Sequence, residues 1–118
     1  MLVVEDDQSL RVVIRMILEN AGYEVSEARN GRAALESIQA GLPDVILADM
    51  RMPIMSGVEL VNHLRRDPGT AFIPIVLMSG LITDSDESRV ADAIVAKPFE
   101  PADLLGAIER LLGAGAAD

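Results

Sequence analysis

The sequence predicts an α/β fold with an open, doubly wound parallel sheet, and three observations lead to it. Apolar runs of strand length alternate with segments of helical periodicity five times along the chain. The runs at 2–4, 45–48 and 73–78 are almost continuously apolar, as parallel strands are when helices cover both faces of a sheet. The run at 23–26 instead alternates apolar with polar residues, which indicates a half-exposed edge strand.

The first two helices have recognisable limits. The first follows strand 2–4 and ends at Gly22, and its apolar residues at helical spacing are Leu10, Val13, Ile14 and Ile17. Asn30 can cap the second helix, and Gly41 with Pro43 ends it. The residues that the second helix is expected to bury are Ala34, Leu35 and Ile38.

The second half of the chain repeats this pattern. The third helix carries Gly57, Leu60, Val61 and Leu64, and a turn at 67–69 ends it. The polar stretch 83–92 holds at best a short fourth helix, and 93–96 is the fifth strand. Pro101 suits the first turn of a C-terminal helix that buries Leu104, Ile108 and Leu111. Five strand–helix units with the second strand at an edge favour the flavodoxin-like order 2-1-3-4-5.

Composition limits the classes of function. The 118 residues suffice for one domain, 1–118, with a single core. The net charge of −9 argues against a surface that binds nucleic acid, and the absence of cysteine excludes disulfides and zinc–thiolate sites. No apolar run reaches the roughly 18 residues of a membrane span, and no signal peptide is visible. We therefore expect a cytoplasmic protein without a membrane segment.

Polar residues follow the predicted strands where each strand ends. Glu5 and Asp6 follow the first strand, Asp49 the third, Ser79 the fourth and Lys97 the fifth. In an open parallel sheet these ends lie along one edge, where ligands bind at the switch point between strands 1 and 3. Topology alone therefore predicts three carboxylates, a hydroxyl and an ammonium in one small cleft. Lys97 is the one lysine among ten lysine and arginine residues.

This set of side chains suits the transfer of phosphate to an aspartate. Clustered carboxylates raise one another's pKa unless a cation is present, and oxygen ligands favour Mg²⁺. Asp49 could attack phosphorus as a nucleophile, while Lys97 and Ser79 contact the phosphoryl oxygens. The chain has no glycine-rich nucleotide loop, so the phosphate must come from a partner protein or a small phosphodonor.

Four motifs together resemble the receiver domain of two-component response regulators. They are Val-Val-Glu-Asp-Asp at 3–7, Pro-Asp-Val-Ile-Leu-Ala-Asp-Met-Arg-Met-Pro at 43–53, Ser79-Gly80 and Lys97-Pro98-Phe99. The resemblance implies a signalling phosphoacceptor that catalyses only its own phosphorylation and dephosphorylation. It also implies that Asp49 receives phosphate from a histidine kinase or a histidine phosphotransfer protein.

The same resemblance assigns roles within the site. Asp6 would bind Mg²⁺ directly, Glu5 would assist, often through water, and the backbone carbonyl of Arg51 would be a further ligand beside Asp49. Lys97 would contact the phosphate, and the bond from Lys97 to Pro98 is expected to be cis. Ser79 would be the switch hydroxyl that moves toward the phosphate.

Two features depart from the family pattern on its usual output face. Ile94 occupies the position where receivers carry a switch aromatic, and the span from Ser79 to Lys97 is roughly one helical turn short. We therefore predict that the helix over 83–92 is short or irregular. Phosphorylation is expected to shift the face formed by strands 4 and 5 and the last two helices, and a homodimer through that face is left open.

Two other readings of the residues remain. One is a phosphate-independent pseudo-receiver, which would use the same fold for interaction alone. The other is a haloacid-dehalogenase-like phosphatase, which also uses Asp, Ser or Thr, Lys and Mg²⁺. That family places its nucleophile in a D-x-D motif on the first strand, whereas Asp49 follows the third strand and precedes Met50-Arg51.

Overall fold

A computed structural model describes residues 1–80 and 91–116, and the side chains as far as residue 113. Its strands and helices alternate through most of the chain. In order they are β1 (Leu2–Val4), α1 (Gln8–Asn20), β2 (Ser26–Ala28), α2 (Gly31–Ala40), β3 (Ile46–Asp49), α3 (Gly57–Arg66), β4 (Ile75–Ser79), β5 (Ala93–Ala96) and α4 (Pro101–Ala116). Among the described residues, no helix is long and apolar enough to cross a membrane.

The five strands form one parallel sheet in the order β2-β1-β3-β4-β5, which confirms the predicted fold class and strand order. Val4 in β1 pairs with Ala28 in β2 and with Ala48 in β3. Asp49, the last residue of β3, pairs with Met78, and Ser79 ends β4 one residue later. The strands therefore reach the same edge of the sheet nearly in register.

Two apolar layers sandwich the sheet, because successive residues of a strand point to opposite faces. Leu2, Val4, Ile46 and Ala48 face the layer that includes residues of α2 and α3. Val3 and Leu47 face the other layer, which includes residues of α1 and α4. Burial on both faces is the reason why β1, β3 and β4 carry almost continuous apolar runs.

The helix limits follow the predicted capping residues. The Asn30 side chain accepts a hydrogen bond of 2.8 Å from the Ala33 N–H at the start of α2, and Gly41 follows the end of that helix. Pro101 is the first residue of α4, where its missing N–H leaves no helical hydrogen bond unmade. The third helix begins with a capping box in which Ser56 and Glu59 satisfy each other's backbone N–H groups.

The second strand lies later in the sequence than predicted. The prediction was 23–26, but β2 is Ser26–Ala28, and its register places Ser26 beside Leu2. Tyr23 lies beyond α1, but its N–H still donates to the Leu18 carbonyl of that helix at 3.1 Å. The alternating apolar residues therefore lie just before β2. Pairing with the three residues of β1 determines where β2 itself begins and ends.

One apolar residue of the α1 repeat lies outside the core, and one further strand boundary differs from the prediction. Val13 is 49% exposed, because α1 turns Ile14 and Leu18 toward the sheet. The fourth strand begins at Ile75 rather than at residue 73, and Pro74, which precedes it, has no N–H to donate to a neighbouring strand. The helix predicted over 83–92 lies outside the described residues, except for positions 91 and 92, which are not helical.

Candidate functional site

The carboxyl edge of the sheet brings the predicted site residues together. Glu5 follows β1, Asp49 and Ser79 end β3 and β4, and Lys97 follows β5. The Glu5 N–H donates to the Ala28 carbonyl at 3.0 Å, and the Lys97 N–H donates to the Ser79 carbonyl at 2.7 Å. Neighbouring strands therefore hold the backbone of these residues by direct hydrogen bonds.

Three carboxylates form the acidic part of the site. One oxygen from each of Glu5, Asp6 and Asp49 lies within 4.8 Å of the other two. Glu5 is 1% exposed and Asp49 is 9% exposed, whereas Asp6 is open to solvent. Two of the three negative charges are thus largely removed from water, which costs free energy unless cations lie nearby.

Lys97 bridges the two buried carboxylates. Its Nζ lies 3.0 Å from Glu5 Oε1 and 2.8 Å from Asp49 Oδ1. Burial lowers the pKa of Lys97, but the hydrogen bonds and charges of Asp49 and Glu5 outweigh it, so the net pKa is raised. The side chain therefore stays a cation at neutral pH and lies in direct contact with the proposed nucleophile.

Glu5 is held at both carboxylate oxygens. The Asp7 N–H donates to Oε2 at 3.1 Å, while Lys97 contacts Oε1. Burial raises the pKa of Glu5 and dominates its net shift, although the hydrogen bonds from Asp7 and Lys97 act in the opposite direction. A raised pKa is the response expected of a buried carboxylate beside a second acid when only one ammonium compensates them.

Ser79 and Arg51 are the other two predicted site residues. Ser79 is 5% exposed at the end of β4, next to Met78, which is the pairing partner of Asp49. Arg51 lies two residues beyond Asp49 in the loop that leads to α3, and its side chain is exposed. The Lys97–Pro98 peptide bond is cis, as the family resemblance implied.

Gly57 supports the site and was not recognised from the sequence as more than a helix residue. A Cβ atom built on it would overlap the Asp49 carbonyl oxygen and lie 3.0 Å from Leu77 Cδ2. The Gly57 N–H also donates to the Met50 carbonyl at 3.0 Å. Only a residue without a side chain allows α3 to begin this close to the end of β3.

Asp7 and Arg11 are two other contributors that the sequence argument missed. Asp7 caps α1, and its Oδ1 accepts hydrogen bonds from the Ser9 and Leu10 N–H groups at 3.0 and 3.3 Å. An acid directly before a helical repeat is a known capping signal and could have revealed this role. Arg11 donates to the Glu5 carbonyl at 2.7 Å, and no local motif announces that contact.

The donor set fits a hard divalent cation. Three carboxylates face one ammonium, so two negative charges remain without a compensating charge from these four side chains. Oxygen donors of this kind are the ligands that Mg²⁺ takes in proteins, usually together with water and phosphate oxygens. A bound Mg²⁺ would neutralise these two charges, so the four side chains are consistent with a magnesium site.

Comparison with known proteins identifies, along almost the whole chain, the same family that the sequence motifs resemble. The profile of the response regulator receiver domain matches residues 1–109. The chain is 35% identical over 114 residues to the phosphate regulon transcriptional regulatory protein PhoB of Rhizobium meliloti strain 1021, covering 93% of this chain and 50% of that protein. It therefore spans about half the length of this relative.

Solved structures share the fold. The chemotaxis protein CheY4 of Vibrio cholerae superposes with a TM-score of 0.87 at 36% identity, over 92% of this chain and 94% of that one. The response regulator TrrA of Thermotoga maritima, solved in complex with Mg²⁺–BeF, gives a TM-score of 0.86 at 29% identity, over 93% and 96% of the two chains. The fold, the family match and these similarities show that the chain belongs to the response regulator receiver domains of two-component signalling systems.

Proposed function

We propose that Asp49 accepts a phosphoryl group from the phosphohistidine of a histidine kinase or histidine phosphotransfer protein. One observation carries the proposal most directly. Asp49 lies at the end of a buried strand with Lys97 Nζ 2.8 Å from its Oδ1 and two more carboxylates close by. A phosphoacceptor needs a fixed carboxylate and groups that neutralise phosphoryl oxygens, and the placement of Asp49 beside Lys97 supports both roles.

The reaction exchanges one bond to phosphorus for another. An Asp49 carboxylate oxygen attacks the phosphorus, the P–N bond of the phosphohistidine breaks, and the imidazole leaves with the bonding electron pair. The product is an acyl phosphate. Lys97 already contacts Asp49 and Glu5, so it can transfer one of its hydrogen bonds to a new phosphoryl oxygen. Ser79, on the neighbouring strand, would supply a hydroxyl to another.

The acidic side chains would hold Mg²⁺ for this reaction. Glu5, Asp6 and Asp49 are the proposed ligands, together with the backbone carbonyl of Arg51. When bound, Mg²⁺ neutralises charge on the phosphoryl oxygens and helps to align them. The backbones of Glu5 and Asp49 are placed before phosphate arrives, because these residues directly follow Val4 and Ala48, the last residues that β1 and β3 pair with each other. TrrA, with a similar fold, has been solved with Mg²⁺–BeF, which supports this assignment.

Phosphorylation would act on partners through the surface around β4, β5 and the helices beside them. Receiver domains interact with histidine kinases, and this family membership supports such a kinase or a phosphotransfer protein as the phosphodonor. A homodimer through the face that includes β5 and α4 belongs to the same proposal. The net charge of −9 supports a domain, 1–118, that does not bind nucleic acid directly. Response regulators are typically cytoplasmic, and we propose the same location for this chain.

Incubation with Mg²⁺ and acetyl phosphate, followed by intact-mass measurement, tests the proposal. We expect a gain of one phosphoryl group that requires Mg²⁺ and disappears in Asp49→Asn. Asp44→Asn is the matched control, since Asp44 is an exposed acid just before β3. A phosphate-independent interaction module would show no gain in the wild-type chain. Rapid hydrolysis of many phosphoesters would instead indicate a phosphatase.

A further inference from the structure

Arg11 connects the first helix to the end of the first strand. It lies on α1, and its Nη1 donates to the Glu5 backbone carbonyl at 2.7 Å. Its Nε donates to Glu27 Oε1 on β2 at 2.9 Å. The Arg11 side chain is 17% exposed and that of Glu27 is 25% exposed, so both contacts are partly buried. One guanidinium thus joins α1, β1 and β2 at the point where the site begins.

The contact matters because Glu5 lies just beyond the paired part of β1. The strand ends at Val4, so the Glu5 carbonyl has no place in the ladder that pairs β1 with its neighbours. Arg11 supplies a charged donor to that carbonyl, and a hydrogen bond with one charged partner is stronger than a neutral one. The Glu5 N–H donates to the Ala28 carbonyl, and the Glu5 carboxylate accepts from Lys97 and from the Asp7 N–H. Together with the Arg11 contact, every polar atom of Glu5 therefore has a hydrogen-bond partner.

We infer that Arg11 is a positioning residue for cation binding: it fixes the Glu5 carbonyl, and so aims the Glu5 and Asp6 carboxylates at Asp49 before a cation arrives. This inference rests on the proposed function, in which these acids hold Mg²⁺. Among its described contacts, Arg11 touches neither the carboxylate oxygens of Glu5, Asp6 and Asp49 nor any residue of β3. Its effect on the site therefore passes through the backbone of Glu5.

Glu27 orients Arg11 for this role. Its Oε1 accepts from Arg11, and its Oε2 accepts from Arg15 Nη1 at 2.7 Å. Burial raises the pKa of Glu27, but the hydrogen bonds and charges of Arg15 and Arg11 prevail and leave the pKa below its usual range. Arg15 is 46% exposed, and its described contacts reach Glu27 and Glu19 but not Glu5. It therefore offers a control that shares the partner of Arg11 and lacks the contact with the site.

The sign of the effect separates positioning from simple electrostatics. A guanidinium near a cation site repels the cation, so removal of the Arg11 charge alone would strengthen Mg²⁺ binding. Loss of positioning would instead weaken Mg²⁺ binding, because part of the binding free energy would then be needed to order the carboxylates. Supporting residues of metal sites typically change affinity by about 10- to 100-fold when they are replaced.

Calorimetric titration with Mg²⁺ alone tests the inference. We expect Arg11→Met to bind Mg²⁺ roughly tenfold more weakly than the wild-type chain, at the lower end of the usual range. Arg15→Met removes the same charge and should bind as tightly as the wild type or slightly more tightly. Arg11→Lys keeps the charge, but an ammonium lacks the forked donors with which the guanidinium reaches Glu5 and Glu27 together. Its Mg²⁺ affinity should therefore lie between those of Arg11→Met and Arg15→Met.

Amide resonances of residues 5–7 in the absence of Mg²⁺ provide a second readout. They should shift in Arg11→Met and stay in place in Arg15→Met, while the melting of each variant reports whether it folds. If Arg11→Met does not fold, Arg11→Lys carries the test. Equal or tighter Mg²⁺ binding in the folded Arg11 variants would overturn the inference and leave the proposed function intact. Absence of Mg²⁺ binding in the wild-type chain would overturn both.

Discussion

Replacement of Gly57 by alanine probes how closely the third helix approaches the proposed phosphoacceptor. The new Cβ would overlap the Asp49 carbonyl oxygen and come within 3.0 Å of the Asp49 carbonyl carbon and of Leu77 Cδ2. Two of these neighbours are backbone atoms at the end of a buried strand, so they cannot rotate away as a flexible side chain could. Either the start of α3 or the end of β3 must move.

The magnitude follows from two opposing effects. Overpacking in a well-packed region costs about 1–3 kcal/mol. Replacement of glycine by alanine recovers about 0.4–1 kcal/mol by restricting the unfolded chain. The midpoints of these two ranges leave a net loss of about 1.3 kcal/mol in the free energy of unfolding for Gly57→Ala. Because the clash involves the Asp49 backbone, the rate of phosphorylation by acetyl phosphate should fall as well.

Two other glycines provide graded controls. A Cβ on Gly31 would lie 2.8 Å from Met55 Cγ, but that flexible side chain can move, so Gly31→Ala should cost less. A Cβ on Gly106 inside α4 would meet nothing within 4 Å. Gly106→Ala should therefore stabilise the protein by up to about 1 kcal/mol through helix propensity.

Urea unfolding followed by far-UV circular dichroism measures the series, since the chain has no tryptophan. The expected order of stability is Gly106→Ala above the wild type, then Gly31→Ala, then Gly57→Ala. The reasoning would be refuted if Gly57→Ala were as stable as the wild type and took up phosphate at the same rate. A loss of stability in Gly106→Ala as large as in Gly57→Ala would also contradict it.

Three further outcomes are expected. Ile54 is a β-branched residue with φ of 72°, so Ile54→Asn should raise the free energy of unfolding by about 1 kcal/mol, measured by urea unfolding. The pKa of Glu27 is lowered because Arg15 and Arg11 outweigh the effect of burial. Its stabilising contribution should be present above the ordinary glutamate pKa of about 4.3 and be lost as pH falls through the lower folded value, so the stability difference from Glu27→Gln should shrink in acid. Mg²⁺ at about 100 times its Kd should stabilise the wild type by about 2.7 kcal/mol in thermal melts, and Asp6→Asn should remove most of this gain.

Each of these outcomes has a result that contradicts it. Ile54→Asn equal to or less stable than the wild type would show that the loop stores no strain at that residue. A Glu27→Gln difference that stays constant across the acid range would show that the arginine pairs do not perturb the carboxylate. A chelator should reverse the effect of Mg²⁺ in the wild type, and a melting temperature insensitive to both additions would count against the cation site.

Much of the architecture was readable because its causes are local. Continuous apolar runs required strands buried on both faces, and capping residues such as Asn30 and Pro101 marked helix limits where they occur in the structure. The strand order followed from the half-polar second strand. The position of that strand did not, because β2 is selected by pairing with Leu2–Val4 and not by its own alternation.

The gathering of acids at one edge of the sheet was also a consequence of sequence order, since parallel strands must end on the same side. Contacts between distant segments were different. The approach of Gly57 to the Asp49 carbonyl depends on where α3 docks, and the reach of Arg11 to Glu5 depends on how α1 lies across β1. Neither contact has a local pattern, because each depends on the relative placement of two elements.

The amino-acid sequence by itself determined the alternation of strands and helices, the parallel order and the residues that end each strand, because periodicity and local capping act over a few residues. Only the tertiary structure decided which two carboxylates Lys97 bridges, which glycine must lack a side chain and which arginine holds the end of β1. Those are matters of distance between separate elements, and packing of the two apolar layers against the sheet sets those distances.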